Sequence, residues 1–215
     1  MGVERIGKDP CVKCFPAATT LAFCFTLLLA GSAEGGSVPG AADDAPRSWH
    51  LLINVGLASN AYSGEFGEVP ASAKDSGLEN QFALSLDGGV YWSLSKRAGT
   101  LLGIVFNGGE NRSDDDEVKI TPYLLGVSSM RFFAPEPDAG LFVRADLGVA
   151  AYRVEVRGAD HYSDTSDLGY GVLVGGGYGI PLSRGKSILF NVNYALRRAG
   201  DATIGTFGMT VGTLW

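Results

Sequence analysis

Two residues of one polar segment have the types that nucleophilic catalysis uses. His161 and Ser163 are separated by one tyrosine, and an imidazole beside a serine hydroxyl can activate it as a nucleophile. The histidine must also be oriented by a third group, and Asp160, Asp164 and Asp167 lie in the same stretch. A single histidine in a polar loop is more often a surface residue. We therefore interpret the triplet as loop sequence and keep hydrolysis as an alternative.

Two further patterns are typical of metal or redox sites. The acidic run Asp114–Glu117 has oxygen ligands suited to calcium or magnesium, but it lacks the spacing of an EF-hand loop. Cys11 and Cys14 form a CxxC pair with no second pair in the chain, and Cys24 is the third and last cysteine. We expect a solvated acidic loop, no metal site and no cofactor.

A third set of polar residues occurs inside segments that otherwise alternate between apolar and small residues. Arg144 has aspartates within reach, and a buried arginine between carboxylates neutralises charges that are costly alone. The set predicts a hydrogen-bonded plug in a narrow interior, with a gated pore or proton path as the alternative. Its members are Asn54, Asp87, Arg144, Asp146, Asn191 and Asn193, with Ser85 and Ser128 nearby.

The composition limits the class of protein. The chain has 215 residues and a formal charge of −6, which argues against a nucleic-acid partner because phosphate binding needs a clustered basic surface. Residues 1–33 have basic residues, then an apolar run and then small residues, which predicts a secretory signal peptide. Residues 34–48 are rich in Gly, Pro, Ala and Asp and predict a flexible lead-in.

Residues 49–215 divide into eight segments of period two, which predict eight antiparallel strands. The connections alternate between long and short, with long loops predicted at 61–80, 108–118, 155–166 and 197–202, as in an up-and-down membrane barrel. A lipocalin-like barrel would need all the bulky apolar residues inside, where eight strands leave little room. The fold class expected is all-β, an eight-stranded antiparallel up-and-down transmembrane β-barrel with a small, polar inner face. The strands are predicted at 49–60, 81–93, 100–108, 119–133, 140–154, 167–181, 186–197 and 204–215.

Aromatic residues on the apolar parity form two groups, as the two interfaces of a bilayer require. The group near the short turns contains Trp49, Trp92, Phe133, Tyr178, Phe190 and Trp215. The group toward the long loops contains Phe82, Phe106, Tyr123, Tyr170, Tyr194 and Phe207.

These segments resemble the small eight-stranded outer-membrane barrels of the OmpA/OmpX type over residues 49–215. Phe207, Met209, Val211 and Trp215 match the alternating, aromatic ending that such barrels present to the assembly machinery, with Thr213 a weaker match. The resemblance implies export to the outer membrane of a Gram-negative bacterium, as a monomer. It also implies a structural or surface-interaction role with extracellular loops displayed, with a narrow porin-like channel as the alternative.

The outer leaflet gives two further expectations. Basic residues in or beside the long loops are expected to meet lipopolysaccharide phosphates as charge-assisted pairs. The His161–Ser163 element is similar to that of outer-membrane lipid A deacylases, which implies a lipid A-modifying hydrolase as a further alternative. In that family an acidic residue follows the serine by about a dozen positions, and this chain has none there. The basic residues are Arg112, Lys119, Arg157, Arg197 and Arg198.

Overall fold

A computed structural model describes residues 49–64, 82–94, 99–112, 118–134, 139–156, 162–183 and 186–215. The predicted signal peptide and lead-in lie outside these residues. The described residues form strands only, and none of them belongs to a helix long and apolar enough to cross a membrane. The strands are β1 (Trp49–Gly64), β2 (Phe82–Ser93), β3 (Thr100–Arg112), β4 (Val118–Phe132), β5 (Gly140–Val156), β6 (Tyr162–Thr165), β7 (Gly169–Ser183), β8 (Lys186–Ala199) and β9 (Ala202–Leu214).

The sheet closes on itself. Every pairing is antiparallel and joins strands that are neighbours along the chain, except that β5 pairs with both β6 and β7, and β9 returns to pair with β1. Following one rung from Ile53 around the barrel leads back to β1 at Ser63, a stagger of ten residues (53 to 63). Such a stagger tilts the strands strongly and fixes a narrow barrel. The predicted closed, sequential, eight-stranded antiparallel barrel is confirmed.

The nine strands occupy eight positions around the barrel, which we call staves, because β6 and β7 follow each other in one position beside β5. The last pair between β5 and β6 is Arg153 with Thr165, and the first pair between β5 and β7 is Ala150 with Gly169. An advance of three residues along β5 is therefore matched by four residues along the paired segment. The extra residue is a β-bulge. Ser166 bridges the break, since its N–H donates to the Tyr152 carbonyl at 2.9 Å. The sixth stave therefore starts at Tyr162, five residues before the predicted start.

The connections fall into two sets. Those after β2, β4 and β7 lie at one end of the barrel, which we call the short-turn end. The other end carries the connections after β1, β3, β5 and β8. The last of these was expected to be a long loop, and this expectation is wrong. It is a two-residue turn at Gly200 and Asp201, and Gly200 has the positive φ of +56° that glycine adopts without strain.

The outer face carries the large apolar side chains, as the parity predicts. Trp49, Trp92 and Trp215 are about half exposed near the short turns, and Tyr170, Tyr194 and Phe207 are about half exposed toward the other end. Aliphatic residues such as Ile104, Val127 and Val149 are equally exposed between them. This face is an apolar band between two aromatic belts, the arrangement found where a barrel meets lipid.

Candidate functional site

The lumen consists of alternating apolar and polar layers. The inner face of β8 shows the sequence of layers from the short-turn end upward: Leu189, then Asn191 and Asn193, then Ala195, Arg197 and Ala199, all buried. We call the corresponding layers the floor cluster, the lower polar layer, the middle cluster, the upper polar layer and the upper cluster. Each polar layer therefore lies between two apolar ones.

The floor cluster closes the short-turn end. Phe132 and Phe142 pack with ring centroids 5.2 Å apart, and Tyr91 is fully buried beside them. The expectation of an inner face that is only small and polar is therefore wrong. Glycines elsewhere on the inner wall, such as Gly177 beneath the Phe142 ring, make room for these large side chains. The cluster contains Leu52, Tyr91, Leu101, Val105, Met130, Phe132, Phe142, Leu189 and Leu214.

The lower polar layer is organised by Arg144 on β5. Its Nη2 donates to Asp87 Oδ1 at 2.8 Å across the lumen and to Asp146 Oδ2 at 2.6 Å, while its Nη1 also pairs with Asp87. Its Nε donates to Asp146 Oδ1 at 2.9 Å, so the guanidinium binds one carboxylate at each of two edges. Asn54 Nδ2 donates to Asp87 at 3.0 Å. Four of the six predicted interior residues thus form one network joining β1, β2 and β5.

The other two predicted residues do not join this network. Asn191 and Asn193 on β8 are buried, but the side-chain nitrogen of each donates no hydrogen bond to any described residue. Thr210, the cross-strand neighbour of Asn191, has an unpartnered hydroxyl as well. They form a polar strip on the β8–β9 wall, and buried polar groups of this kind are commonly satisfied by internal water.

The hydroxyl layer beneath Arg144 was only partly expected. Ser128 lies opposite Asp146 in the sheet, and its hydroxyl is 2.8 Å from the Tyr91 hydroxyl. This bond ties the polar layer to the floor cluster. Tyr91 gives a visible signal in the sequence, because it falls on the inner parity of β2, shared with Ser85 and Asp87.

The upper polar layer is centred on Arg197, which crosses the lumen from β8 to β3. Its Nη1 donates to Thr206 Oγ1 at 2.8 Å, and its Nη2 donates to Asn107. Thr206 donates in turn to Asn60 at 2.7 Å. The expectation that Arg197 meets lipid phosphates is therefore wrong. The alternation of β8, which places Arg197 on the face of Asn191 and Asn193, already contained the correct answer.

The two polar layers balance each other in charge. Arg144 with Asp87 and Asp146 has a net charge of −1, and Arg197 has neutral hydrogen-bond partners and adds +1. These four charges, the buried ones among the described residues, sum to zero. Because an unneutralised charge in a low-dielectric interior is very costly, this balance fits a lumen that is closed to bulk ions.

The upper cluster closes the opposite end. Ile120, Val154 and Ile204 are buried inside the barrel where the strands extend beyond the outer aromatic belt. Tyr62 packs against them, and its hydroxyl accepts a hydrogen bond from Asn111 at 2.9 Å. The cluster contains Val118, Ile120, Tyr152, Val154, Ala199, Ala202 and Ile204, and the middle cluster contains Leu124, Ala150, Leu173 and Ala195.

The outward face beyond the belt carries charges. Glu110 forms ion pairs with Lys119 at 2.7 Å and with Arg112 at 2.6 Å. The hydrogen bond from Lys119, assisted by that from Arg112, lowers the pKa of the Glu110 carboxyl below its ordinary value of 4.5 against a smaller opposing effect of burial. Arg198 is exposed near the same level. Unlike Arg197, these residues lie on the outer face of the barrel, whereas Arg157 lies outside the described residues.

The catalytic-looking triplet does not form a described site. Ser163 lies on β6, is exposed, and accepts a hydrogen bond from Arg153 Nε at 3.2 Å. His161 and Asp160 lie outside the described residues, as does the acidic run Asp114–Glu117. Among the residues described, no three His, Cys, Asp or Glu side chains gather as metal ligands would.

The closing strand β9 brings the predicted assembly residues to the lipid-facing wall. Phe207, Met209, Val211 and Trp215 are all exposed on one face. The backbone of Trp215 exchanges two hydrogen bonds of 3.0 Å with Leu51, so the last residue still takes part in barrel closure.

Comparison with known proteins identifies the fold. No protein-family model matches the chain, and no protein of curated function matches it by sequence. Among solved structures, the chain is similar to Ail, the attachment invasion locus protein of Yersinia pestis, with 10% identity, 79% of this chain and 100% of that chain covered, and a TM-score of 0.51. It is also similar to Ail of Yersinia pestis in complex with the heparin analogue sucrose octasulfate, with 8% identity and a TM-score of 0.52, over 79% of this chain and 100% of that chain. For Neisserial surface protein A the identity is 12% and the TM-score is 0.50, over 80% of this chain and 98% of that chain. The chain has the fold of the small OmpA/OmpX-like outer-membrane barrels, as its sequence predicts.

Proposed function

We propose that this chain is an outer-membrane barrel of structural and surface-interaction type, whose lumen is plugged and does not conduct. The observation that carries the proposal is the layered lumen. An ion that crosses it has to pass the floor, middle and upper clusters, and each consists of buried apolar and aromatic side chains. The polar side chains between them are confined to two layers that the middle cluster separates, so they do not form a continuous water path.

The outer face supports the membrane location. An exposed band of aliphatic and aromatic side chains around a whole barrel is far larger than the apolar patches of water-soluble monomers. Two cations lie at the short-turn belt, with Arg131 6.0 Å from the Phe133 ring centroid and Lys186 5.4 Å from that of Trp215. Amphipathic rings and snorkelling cations are typical of the headgroup region of a bilayer.

The end opposite the short turns is the proposed contact surface. β3, β4 and β5 extend past the outer belt and present the charged side chains of Arg112, Lys119 and Arg153. Ail is named for attachment and invasion, and Neisserial surface protein A is named for its surface location. A role in contact at the cell surface, with an extracellular ligand of its own, fits the same end of this barrel.

Three measurements test this proposal. The folded chain should fractionate with outer membranes and migrate differently on unheated and heated detergent gels. Pure protein in a planar bilayer should give no steady openings. A heat-insensitive band would contradict the proposed membrane barrel. Steady single-channel openings would contradict the proposed plug and favour a narrow channel.

A further inference from the structure

The outer wall of the barrel is indented over five neighbouring staves. A groove of about 680 Å³ runs across β5, β7, β8, β9 and β1, within the range of roughly 300–1,000 Å³ that is usual for ligand sites. Gly176 lies on the outward face of β7 between Val174 and Tyr178, so this part of the wall lacks a side chain. The outward side chains that line the groove include Val55, Tyr178, Phe190, Val192, Met209 and Val211.

A single cation lies below this groove on the same face. Lys186 is four residues before Phe190 on β8, about 13 Å away along an extended strand. Its Nζ is held 5.4 Å from the Trp215 ring centroid, and no carboxylate of the described residues pairs with it. The arrangement therefore places a positive charge at headgroup depth and an apolar groove deeper in the bilayer on the same outer face.

We propose that Lys186, Trp215 and the groove form a binding site for one phospholipid with an anionic headgroup, in the leaflet on the short-turn side. The site rests on the membrane placement proposed above. The phosphate lies against Lys186 while one acyl chain follows the outward face of β8 past Phe190 and Val192. A lipid fits better than a protein partner, because the exposed lining of the groove is apolar and a cation lies about one headgroup-to-acyl distance away on the same face, roughly 13 Å along β8.

The headgroup half of the site is tested with Trp215 as the probe. The chain has three tryptophans, so Trp49→Phe and Trp92→Phe leave Trp215 as the only tryptophan. This variant is placed in bilayers that contain brominated phosphatidylglycerol or brominated phosphatidylcholine, and the quenching of Trp215 fluorescence by each lipid is measured. One lysine near an anionic lipid surface contributes about 1 kcal/mol, so we expect phosphatidylglycerol to be favoured about fivefold beside Trp215. Lys186→Gln should bring the preference close to one.

Arg131→Gln is the matched control, since Arg131 also lies over an aromatic ring in this belt but on β4, three strands from β8 and Lys186 and outside the lining of the groove. It should leave the preference at Trp215 unchanged. A preference that persists in Lys186→Gln, or that Arg131→Gln lowers equally, overturns the headgroup assignment. If the protein inserts and shows heat-modifiable migration in every variant, such a failure concerns the lipid site and not the barrel.

The groove half is tested by narrowing it. Val192→Phe adds bulk inside the groove, while Val127→Phe adds the same bulk to β4. Native mass spectrometry of protein purified with added phosphatidylglycerol should show severalfold less retained lipid for Val192→Phe only. Equal retention by the two variants overturns the placement of the acyl chain.

Discussion

Arg144 is the residue on which the lower polar layer depends. Its side chain is buried, and its guanidinium donates four hydrogen bonds to Asp87 and Asp146, which are buried as well. Asn54 donates a fifth hydrogen bond to Asp87. A buried pair of this kind adds little against a well-packed apolar core, but removing one partner is costly because the other charge remains.

Replacing Arg144 with methionine keeps much of the side-chain length and removes the charge. Asp87 and Asp146 are then left facing each other in a dry interior, so we expect the free energy of unfolding to fall by roughly 3–5 kcal/mol. Urea titration of the barrel in lipid vesicles measures this change.

The aspartates supply the control. Adding Asp87→Asn and Asp146→Asn to Arg144→Met removes the uncompensated charges, and most of the lost stability should return. If Arg144→Met alone changes stability by no more than the triple variant does, the charge argument is wrong and the layer is held by packing.

Glu110 gives a pH dependence at the outer charged face. Its pKa is lower in the folded protein than its ordinary value of 4.5, because Lys119 and Arg112 bind the ionised carboxylate. The unfolded chain therefore binds this proton more readily, and the contribution of the group is present above pH 4.5 and lost as the pH falls through the folded pKa.

Glu110→Gln should remove this part of the acid destabilisation. Melting curves recorded at pH values above and below 4.5 should show a smaller loss of stability in acid for Glu110→Gln than for the natural chain. The effect is small because the pair is exposed and screened by salt. An unchanged acid slope would mean that the ion pairs do not persist in solution.

At the scale of the element, the last strand has two roles that separate by position. β9 closes the barrel against β1, and its outward residues carry the proposed assembly signal. Trp215 belongs to both, since its backbone bonds to Leu51 and its ring lies in the aromatic belt.

The assembly role predicts a difference between two equivalent tryptophans. Trp215 and Trp92 are 48% and 47% exposed in the same belt, so replacing either with alanine removes a similar lipid contact. We expect Trp215→Ala to lower the yield of folded protein in the outer membrane severalfold, and Trp92→Ala to leave it nearly unchanged. Quantitative blotting of heat-modifiable protein in membrane fractions makes the comparison. Equal losses would assign the effect to the belt rather than to assembly.

At the scale of the whole molecule, three apolar layers in series close the lumen. Phe142 is one of three buried aromatic side chains of the floor cluster, with Tyr91 and Phe132, and Phe142→Ala removes a large part of that layer. The middle and upper clusters remain, so the variant should still give no steady conductance, although its stability falls by about 3–5 kcal/mol. Tyr178→Ala, which removes a ring from the outer face, is the control. Steady openings from Phe142→Ala would show that the floor is the only barrier.

The sequence by itself determined the class, the strand order and the two faces. Strict alternation assigns each side chain to lipid or lumen, and the outward position of Phe190 and Tyr194 follows from it without coordinates. The proximity of Arg144 to Asp87 and Asp146 was predicted for the same reason, because a narrow barrel gives inward charges few other partners.

Only the tertiary structure decided what the inward side chains do. Alternation does not say how far around and along the barrel two inward residues lie, because this depends on the stagger of ten residues and on the bulge between β6 and β7. Arg197 was placed with the loop residues although alternation puts it on the inward face, and only the structure shows that it crosses the lumen to Asn107. The floor cluster was missed because its members come from seven strands. The inward or outward direction of a side chain is local information, whereas the layer it occupies depends on closure of the whole barrel.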